Sequence, residues 1–343
     1  MTIKLLSFTY IINFTIINSM STEEVFRLSL CSTRIRRIIR CVRWTPDRIR
    51  YSVREGELDV KIEFKRRNQE MNVKLNSVKR FVDKKTSWHR LGDGIDVELR
   101  VEAITNGTTS FIFQFLKSQE EIVPAAIHNS LLNTFGVILK IEFQIEMDQY
   151  LGCLPKINGV TDTVLNGSRI SGCALQRFLS NFPHQNSISI LTTSLMGRLE
   201  ESSKLFSIKN IHWKLAENYA PLVLKYFNGM NLILFGKITK NDLVGFLRRW
   251  MYTDRYLNLK TVSIRYENIL FEHDEVLREF HISAYDPLRR PENYDYDPCI
   301  IDYPVNENHP FKCLNFLDIE RISDGKLASV QINESNFWFC VWD

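Results

Sequence analysis

Apolar and polar residues alternate along most of the stretch from Arg48 to Leu116. Successive side chains of a strand point to opposite faces, so a period of two indicates extended strands with one buried face rather than helices. Residues typical of turns interrupt the alternation at Arg54–Gly56, Leu91–Gly94 and Thr105–Thr109. The pattern predicts an antiparallel β meander with one solvated face. Its alternating apolar residues are Ile49, Tyr51, Val53, Leu58, Val60, Ile62, Phe64, Val73, Leu75, Ile95, Val97, Leu99, Val101, Phe111, Phe113 and Phe115.

The N-terminal stretch that ends near position 45 follows a helical pattern instead. Ser21 and Glu24 form a capping box, which predicts a helix that begins at Thr22. Ser32 is the predicted N-cap of a second helix, which is apolar on one side and basic on the rest of its circumference. The apolar residues of this helix are Ile35, Ile38, Ile39 and Val42, and the basic ones are Arg34, Arg36, Arg37, Arg40 and Arg43.

Two segments of the C-terminal half, Thr163–Phe182 and Asn231–Trp250, align over their whole length without gaps. Each has the pattern of a short strand, a Ser or Thr N-cap and a helix with one apolar side, and Thr239 with Asp242 forms another capping box. Strand–helix repeats stack because one unit alone cannot bury its apolar face. The offset between the segments predicts two units of about 34 residues, somewhat longer than leucine-rich repeats, and chance similarity is the alternative.

Three further segments complete the chain. Tyr285–Pro310 is rich in Pro, Asp, Asn and Tyr and is predicted to be a long surface loop. Asp324 and Gly325 separate two apolar runs, which predicts a hairpin, and Phe337–Trp342 is the predicted last strand. Together the patterns predict an α+β protein with three parts. These parts are a helical module at residues 1–45, an antiparallel β-rich segment at 46–120 and a strand–helix domain with leucine-rich-repeat-like units at 121–343.

Charge and composition exclude several classes of function. The 44 Lys and Arg against 40 Asp and Glu leave a net charge of +4, which is too small to indicate nucleic-acid binding. The seven cysteines have neither a disulfide framework nor paired zinc spacings, which favours a reducing compartment. Motifs of phosphate-binding loops, zinc proteases and serine hydrolases are absent from the sequence, and the seven histidines are isolated. We therefore expect no enzyme, with no catalytic residue, no cofactor and no metal ion.

The run Leu28–Ser32 (LSLCS) follows an apolar helix near the N-terminus, and Asp318–Val330 (DIERISDGKLASV) lies close to the other end. The first run resembles the F-box of the large nematode F-box protein family, whose members carry a segment like M-x-x-x-E-L-F-x-L-S-L-C-S-K-R. The second is similar to the F-box-associated domain of that family, in which the motif is approximately D-I-x-R-x-D-G-x-L-A-T-I. The helix that ends at Phe246–Trp250 and the strand Leu259–Ile264 also resemble this domain. Members usually begin the F-box with Leu-Pro, and Phe8 and Thr9 stand at these positions here.

The resemblance implies a non-catalytic, substrate-recognition subunit of an SCF-type (cullin–RING) ubiquitin ligase in the cytoplasm, the nucleus or both. In that family the F-box docks on the small adaptor subunit of the ligase through an apolar helical surface, and the C-terminal domain captures the protein to be ubiquitinated. A helical module of about 40 residues is too small to bury all of its apolar surface, so its apolar residues are the candidate adaptor contacts. These candidates are Ile12, Ile16, Phe26, Leu28, Leu30 and Ile35.

Two alternatives remain open from the residues alone. Lys4 precedes an apolar run that extends towards Ser19, as in a secretory signal, although no small-residue cleavage pattern follows. A secreted repeat-type protein of this kind would carry sugar at Asn106 or Asn166. The other alternative is a basic patch that binds nucleic acid or a membrane surface, because Ser21–Arg54 contains nine Arg and three acidic residues. The favoured interpretation expects neither nucleic acid nor membrane as a partner.

Overall fold

The computed structural model describes residues 9–42, 44–54, 57–81, 86–91, 94–106, 108–136, 138, 140–146, 154–191, 194–266, 273–295 and 311–342. It shows a mixed α and β protein in which three N-terminal helices precede strands with interspersed helices. The chain forms two compact units, unit 1 (Met1–Asp162) and unit 2 (Thr163–Asp343). The expected functional domains at 1–45, 46–120 and 121–343 remain predictions, since these units reflect contact density and not function.

Unit 1 contains the predicted helices and the alternating strands. Its elements are α1 (Tyr10–Ser19), α2 (Thr22–Cys31), α3 (Thr33–Cys41), β1 (Arg48–Arg54), β2 (Glu57–Phe64), β3 (Gln69–Val78), β4 (Ser87–Leu91), β5 (Ile95–Asn106), β6 (Thr108–Leu116), α4 (Val123–Phe135) and β7 (Lys140–Glu146). The capping box at Ser21 is confirmed, since its hydroxyl accepts from the Glu24 N–H and the Glu24 carboxylate accepts from the Ser21 N–H. The Ser32 cap is confirmed as well, because its hydroxyl accepts from the Arg34 N–H.

The strands of unit 1 lie in the order β7-β1-β2-β3-β6-β5-β4. The neighbours β1–β2, β2–β3, β4–β5 and β5–β6 are antiparallel, as predicted. The prediction of a simple meander is wrong at its centre, because β3 pairs with β6 in parallel, and β1 also pairs with β7 in parallel. In the β3–β6 register Val73 lies beside Phe111 and Leu75 beside Phe113, so both strands bury their apolar residues on one face.

One face of this sheet is covered by α2 and α4. Phe26 of α2 packs against Phe113 of β6 and Phe135 of α4, with ring centroids 6.3 Å apart in each case. Helix α4 has no counterpart among the predicted elements, because its start lacks a capping side chain: Ile122 occupies the N-cap position, and Pro124 lies in the first turn. The N-terminal helices therefore share a core with the sheet and do not form a separate bundle.

Unit 2 contains the two similar segments and the predicted hairpin. Its elements are β8 (Asp162–Asn166), β9 (Arg169–Ser171), α5 (Gly172–Asn181), β10 (Ser187–Ile190), β11 (Ser194–Met196), β12 (Asn210–Glu217), α6 (Ala220–Tyr226), β13 (Asn231–Gly236), α7 (Lys240–Tyr252), β14 (Thr261–Arg265), α8 (His273–Leu277), β15 (Asn293–Tyr294), β16 (Phe311–Lys312), β17 (Leu317–Glu320), β18 (Leu327–Ile332) and β19 (Asn336–Val341). The main sheet has the order β8-β10-β12-β13-β14-β19-β18-β17. From β10 to β14 neighbouring strands are parallel, and from β14 to β17 they are antiparallel.

The two similar segments both form a strand followed by a helix, as predicted. The predicted number of units between them is wrong, because β10 and β12 both lie between β8 and β13 in the sheet. These four strands begin at Asp162, Ser187, Asn210 and Asn231, so the chain is divided here into three short intervals and not into two longer ones. A search for helical periodicity misses the middle intervals because the helical segments described in them are short: a 3₁₀ turn at Lys204–Ser207 and helix α6.

A row of buried polar side chains fixes the register of the parallel strands. Asn231 Nδ2 donates to Asn210 Oδ1 at 2.8 Å, and Thr261 Oγ1 donates to Asn231 Oδ1 at 2.8 Å. Asn210 Nδ2 in turn donates to the carbonyl of Asn186 at 3.1 Å. A shift of one strand by one residue would leave these buried groups without partners, which costs about 1–3 kcal/mol per group.

The predicted hairpin is confirmed, because β17 and β18 pair antiparallel on either side of Asp324 and Gly325. The prediction that Tyr285–Pro310 is a surface loop is confirmed for most of residues 285–295, whose side chains are exposed or half-buried, and it is wrong for Arg290 and Tyr294. Arg290 is only 3% exposed, and β15 pairs with β16. Arg290 can be buried because its guanidinium pairs with the carboxylate of Asp318, which is also buried. Residues 296–310 lie outside the described part of the chain.

Candidate partner-binding surface

Helix α1 exposes a group of large apolar side chains. None of its ten residues carries a charge, and apolar residues occur around its whole circumference. Such a helix cannot bury every apolar side chain against a single neighbour. Tyr10 is 56% exposed, Ile11 75%, Ile12 44% and Phe14 38%. We call these four residues the α1 surface.

The opposite side of α1 anchors the helix to unit 1. Asn13 and Ile17 are buried. At the end of the helix, Arg67 donates to Asn18 Oδ1 at 2.5 Å, and its guanidinium lies 3.9 Å from the centre of the Trp44 ring. Thr9 stands at the N-cap, but its side chain accepts no hydrogen bond from the described backbone of the first turn. Phe8 lies outside the described residues.

The six predicted adaptor contacts divide into two groups. Ile12 is exposed, and Ile16 and Leu28 are half-buried, so these three side chains are accessible to a partner. Phe26 has no exposed surface. Leu30 and Ile35 are 8% and 9% exposed, so the buried group serves mainly as core. The structure therefore retains half of the predicted surface and places the other half in the interior of unit 1.

Tyr10, Ile11 and Phe14 are accessible residues that were missing from the predicted contacts. They belong to the same uncharged run as Ile12. The absence of any charged residue in α1 is the sequence signal for these three positions. A helix that is apolar on all sides leaves some apolar side chains exposed unless other elements enclose it fully.

Exposed cations lie on two elements that contact helix α1. The 3₁₀ turn Lys65–Arg67 has exposed side chains and contacts the end of α1 through the hydrogen bonds of Arg67 to Asn18. On α3, which packs against α1, the exposed basic residues are Arg34, Arg37 and Arg40. Arg36 differs from them: it is buried and its Nε donates to the carbonyl of Ser29 at 3.3 Å. Exposed apolar side chains on α1, with exposed cations on the elements that contact this helix, favour a partner surface that is apolar and acidic.

A buried histidine with a short polar contact lies inside unit 1. The Nδ1 atom of His128 is 2.6 Å from the hydroxyl of Tyr51, and both side chains are almost completely buried. Burial lowers the pKa of His128 to about 4 and raises the pKa of Tyr51. In unit 2, burial lowers the pKa of His212 to about 4, and the neighbouring Lys214 acts in the same direction. Neither imidazole is open to a substrate, so both act as packing residues in this structure.

The pair of Tyr51 and His128 predicts a pH dependence of stability. His128 has its ordinary pKa of 6.5 when unfolded and about 4 when folded, so the unfolded chain binds more protons between these values. We expect the free energy of unfolding to fall as the pH is lowered from about 6.5 towards 4, and to be independent of this group above that range. Urea unfolding of wild type and His128→Asn measures the contribution. Asn retains a polar atom near the Nδ1 position and has no proton to gain.

His184→Asn is the control for this measurement, since His184 is exposed in unit 2. We expect the control to keep the full pH dependence of the wild type. An equal acid sensitivity of His128→Asn and wild type would contradict the assignment.

The described residues were also compared with known types of ligand site. No group of three or more His, Cys, Asp or Glu residues in the described ranges is placed to hold a metal ion. An open cleft of about 420 Å³ in unit 2 is lined by Arg248, Arg249, Tyr252, Thr253, Glu279 and Phe280. Arg248 is already paired with Glu279, and the Arg249 Nε donates to the Tyr256 hydroxyl at 3.3 Å. The cleft therefore presents cations that are engaged within the protein.

Comparisons with known proteins identify no family for the chain. No protein-family model matches it, and no curated protein and no solved structure matches it significantly. In the part of the chain that the structure describes, no helix combines the length and the apolar character needed to cross a membrane. Among the described residues, the exposed apolar side chains of α1 form the candidate partner-binding surface.

Proposed function

We propose that this chain is a non-catalytic substrate-recognition subunit of an SCF-type ubiquitin ligase in the cytoplasm, the nucleus or both. The N-terminal helices of unit 1 act as an F-box and bind the small adaptor subunit of the ligase. Unit 2 acts as the F-box-associated domain and binds a target protein. The observation that carries this proposal is the α1 surface, four large apolar side chains that are 38% to 75% exposed on one short helix.

The geometry of unit 1 supports a docking role for α1. Each large apolar side chain that becomes buried at an interface contributes about 1.5–3 kcal/mol, so four such residues supply a substantial driving force. Ile16 and Leu28 are half-buried and extend the accessible apolar area. The basic residues of α3 and of Lys65–Arg67 add attraction towards an acidic partner and exclude a basic one.

The geometry of unit 2 supports a recognition role. Parallel strands follow one another in chain order, and the intervals between their first residues lie within the length range of leucine-rich repeats. Stacked units of this type present extended surfaces to protein partners. We therefore assign leucine-rich-repeat-like units to β8, β10, β12 and β13, and we expect the target to bind unit 2.

The experiment that tests this function is co-purification with the adaptor subunit. The double variant Ile11→Asp with Ile12→Asp places two carboxylates on the α1 surface. Both positions are in the first turn of α1, where acidic residues stabilise a helix, so the variant is expected to keep the fold. Losing two apolar contacts and burying charge is expected to weaken adaptor binding about a hundredfold or more.

The control variant is Ile322→Asp, because Ile322 is 69% exposed and belongs to unit 2. The control is expected to bind the adaptor as the wild type does. Circular dichroism checks that both variants are folded. If the α1 double variant binds the adaptor as well as the control does, the assigned surface is wrong, and if wild type binds no adaptor at all, the proposed function is wrong.

One observation favours a second candidate function. A helix with exposed apolar residues beside exposed arginines also suits the surface of an anionic membrane. Sedimentation with phosphatidylcholine vesicles, with and without phosphatidylserine, separates the two functions. Adaptor binding without vesicle binding supports the ligase subunit, and binding that requires phosphatidylserine supports the membrane function.

A further inference from the structure

Two cysteines of unit 2 lie in one small buried cluster. Cys313 follows β16 and Cys340 belongs to the last strand β19, and neither has any exposed surface. Tyr294 and Phe316 complete the cluster, against which two tryptophans pack from the outside. Two cysteines from separate segments of the chain are thus held together in one buried cluster, and each thiol affects the pKa of the other.

The environment makes the two thiols chemically different. Interaction with the Cys340 thiol lowers the pKa of Cys313, whereas burial raises it; the Arg290 guanidinium adds to the lowering and the charge of Asp318 opposes it, and the net direction is a lowered pKa. Arg290 also donates through Nη2 to the Cys313 carbonyl at 2.9 Å, which fixes the cation beside this residue. Burial raises the pKa of Cys340. Cys313 is therefore the better nucleophile of the two.

We propose that Cys313 and Cys340 form an oxidisable dithiol that hydrogen peroxide converts into an intrachain disulfide. The Cys313 thiolate attacks one peroxide oxygen, so that the S–O bond forms, the O–O bond breaks and the second oxygen leaves as water after protonation. Cys340 sulfur then attacks the sulfenic acid, the S–S bond forms, and the hydroxyl group leaves as water with the Cys340 proton. Peroxide is reduced, and two thiols are oxidised by two electrons in total.

The disulfide would fasten the last strand to the segment after β16. The loop that it closes contains the hairpin of β17 and β18, and these strands form one end of the main sheet of unit 2. Closing this loop restricts the unfolded chain and resists opening of that end of the sheet. Oxidation is therefore expected to raise the Tm of unit 2. This inference does not depend on the proposed ligase function.

Peptide mapping tests the proposal on the full chain. Trypsin cleaves after Lys312, Arg321 and Lys326, so Cys313 and Cys340 fall in different peptides, 313–321 and 327–343. After treatment with hydrogen peroxide and alkylation of the remaining thiols in denaturant, we expect these two peptides to be linked. The intact chain is expected to lose two of its seven alkylatable cysteines.

Serine variants assign the order of the two steps. Cys340→Ser is expected to retain a sulfenic acid at Cys313 that dimedone traps, whereas Cys313→Ser is expected to leave Cys340 unmodified. Cys173→Ser is the control, because Cys173 is exposed and should not affect the link. If peroxide modifies the exposed Cys31, Cys41 and Cys173 while both Cys313 and Cys340 of folded wild type remain fully alkylatable, the proposal is overturned.

Discussion

Arg290→Ala is expected to lower the free energy of unfolding of unit 2 by about 3–5 kcal/mol. The Arg290 Nε atom lies 2.9 Å from both carboxylate oxygens of Asp318, and the side chains are 0% and 1% exposed. Removing the guanidinium leaves the Asp318 carboxylate buried without its cation. The loss also removes stacking, because the guanidinium lies 4.5 Å from the centre of the Tyr285 ring and 5.2 Å from that of Trp342. Urea unfolding followed by tryptophan fluorescence measures the change.

The chain provides a matched control at the preceding residue. Arg289 pairs with Glu320 at 2.7 Å, but these side chains are 42% and 56% exposed. Surface pairs of this kind contribute about 0–1 kcal/mol, so Arg289→Ala is expected to have little effect. A similar small loss for both variants would show that the buried pair does not hold this part of unit 2 together.

The hydrogen bonds around Asp318 predict the result of a double replacement. Ser329 Oγ donates to Asp318 Oδ1 at 2.6 Å, and the Trp342 Nε1–H donates to Ser329 Oγ at 2.8 Å. Replacing both charged residues, as in Arg290→Met with Asp318→Leu, leaves no buried charge but removes one acceptor from Ser329. We expect the double variant to be clearly more stable than Arg290→Ala, because buried ion pairs often exchange for apolar residues at little cost.

Phe26→Ala is expected to lower the free energy of unfolding of unit 1 by about 3–5 kcal/mol. Phe26 has no exposed surface and fills the space between Phe113 and Phe135. Truncation removes its apolar contacts and leaves a cavity under α2. Urea unfolding of the full chain tests the value, and the loss is expected in the transition assigned to unit 1.

The control for Phe26 comes from the α1 surface. Ile12 is 44% exposed, so Ile12→Ala is expected to change stability by less than about 0.5 kcal/mol and to reduce adaptor binding instead. The two variants thus separate core residues from partner contacts within the six predicted positions. Wild-type stability of Phe26→Ala would contradict the packing described for unit 1.

The local elements could be predicted because their signals are local. The capping boxes at Ser21 and Thr239 each require two residues three positions apart, and both are present in the structure. The alternating runs of unit 1 form strands because successive side chains of a strand point to opposite faces, so alternation places all apolar residues on the buried face. The hairpin at Asp324 and Gly325 follows from the same short-range reasoning.

The pairing of distant elements could not be predicted in this way. An alternating strand presents the same apolar face whether its neighbour is parallel or antiparallel, so the sequence of β3 and β6 does not specify their parallel pairing. The strands β10 and β12 were missed as repeats because their connections are short or irregular. Burial of Arg290 was missed because its partner Asp318 lies far along the chain, beyond the reach of any local pattern.

The six adaptor contacts stay a prediction, and the division of these residues into buried and exposed side chains could not be predicted from the sequence. Phe26 and Leu30 are four positions apart and therefore share one face of α2, whereas Leu28 lies on another side. The spacing separates the two faces but does not say which one meets the sheet. That choice depends on Phe113 and Phe135, which are far away in the chain.

The chain-order arrangement of β10, β12, β13 and β14 has a consequence for how such a gene can change. Each of these strands is hydrogen-bonded to its neighbours in the sheet. The row of buried polar side chains repeats at the first residues of β12, β13 and β14. A tandem duplication of one interval, from the start of one strand to the start of the next, would insert a new strand between two existing ones. The new strand could form the same types of contact as its neighbours. The antiparallel strands β19, β18 and β17 would still cover the edge of the sheet beyond β14. The number of parallel strands can therefore change in evolution without changes to the strands at that edge.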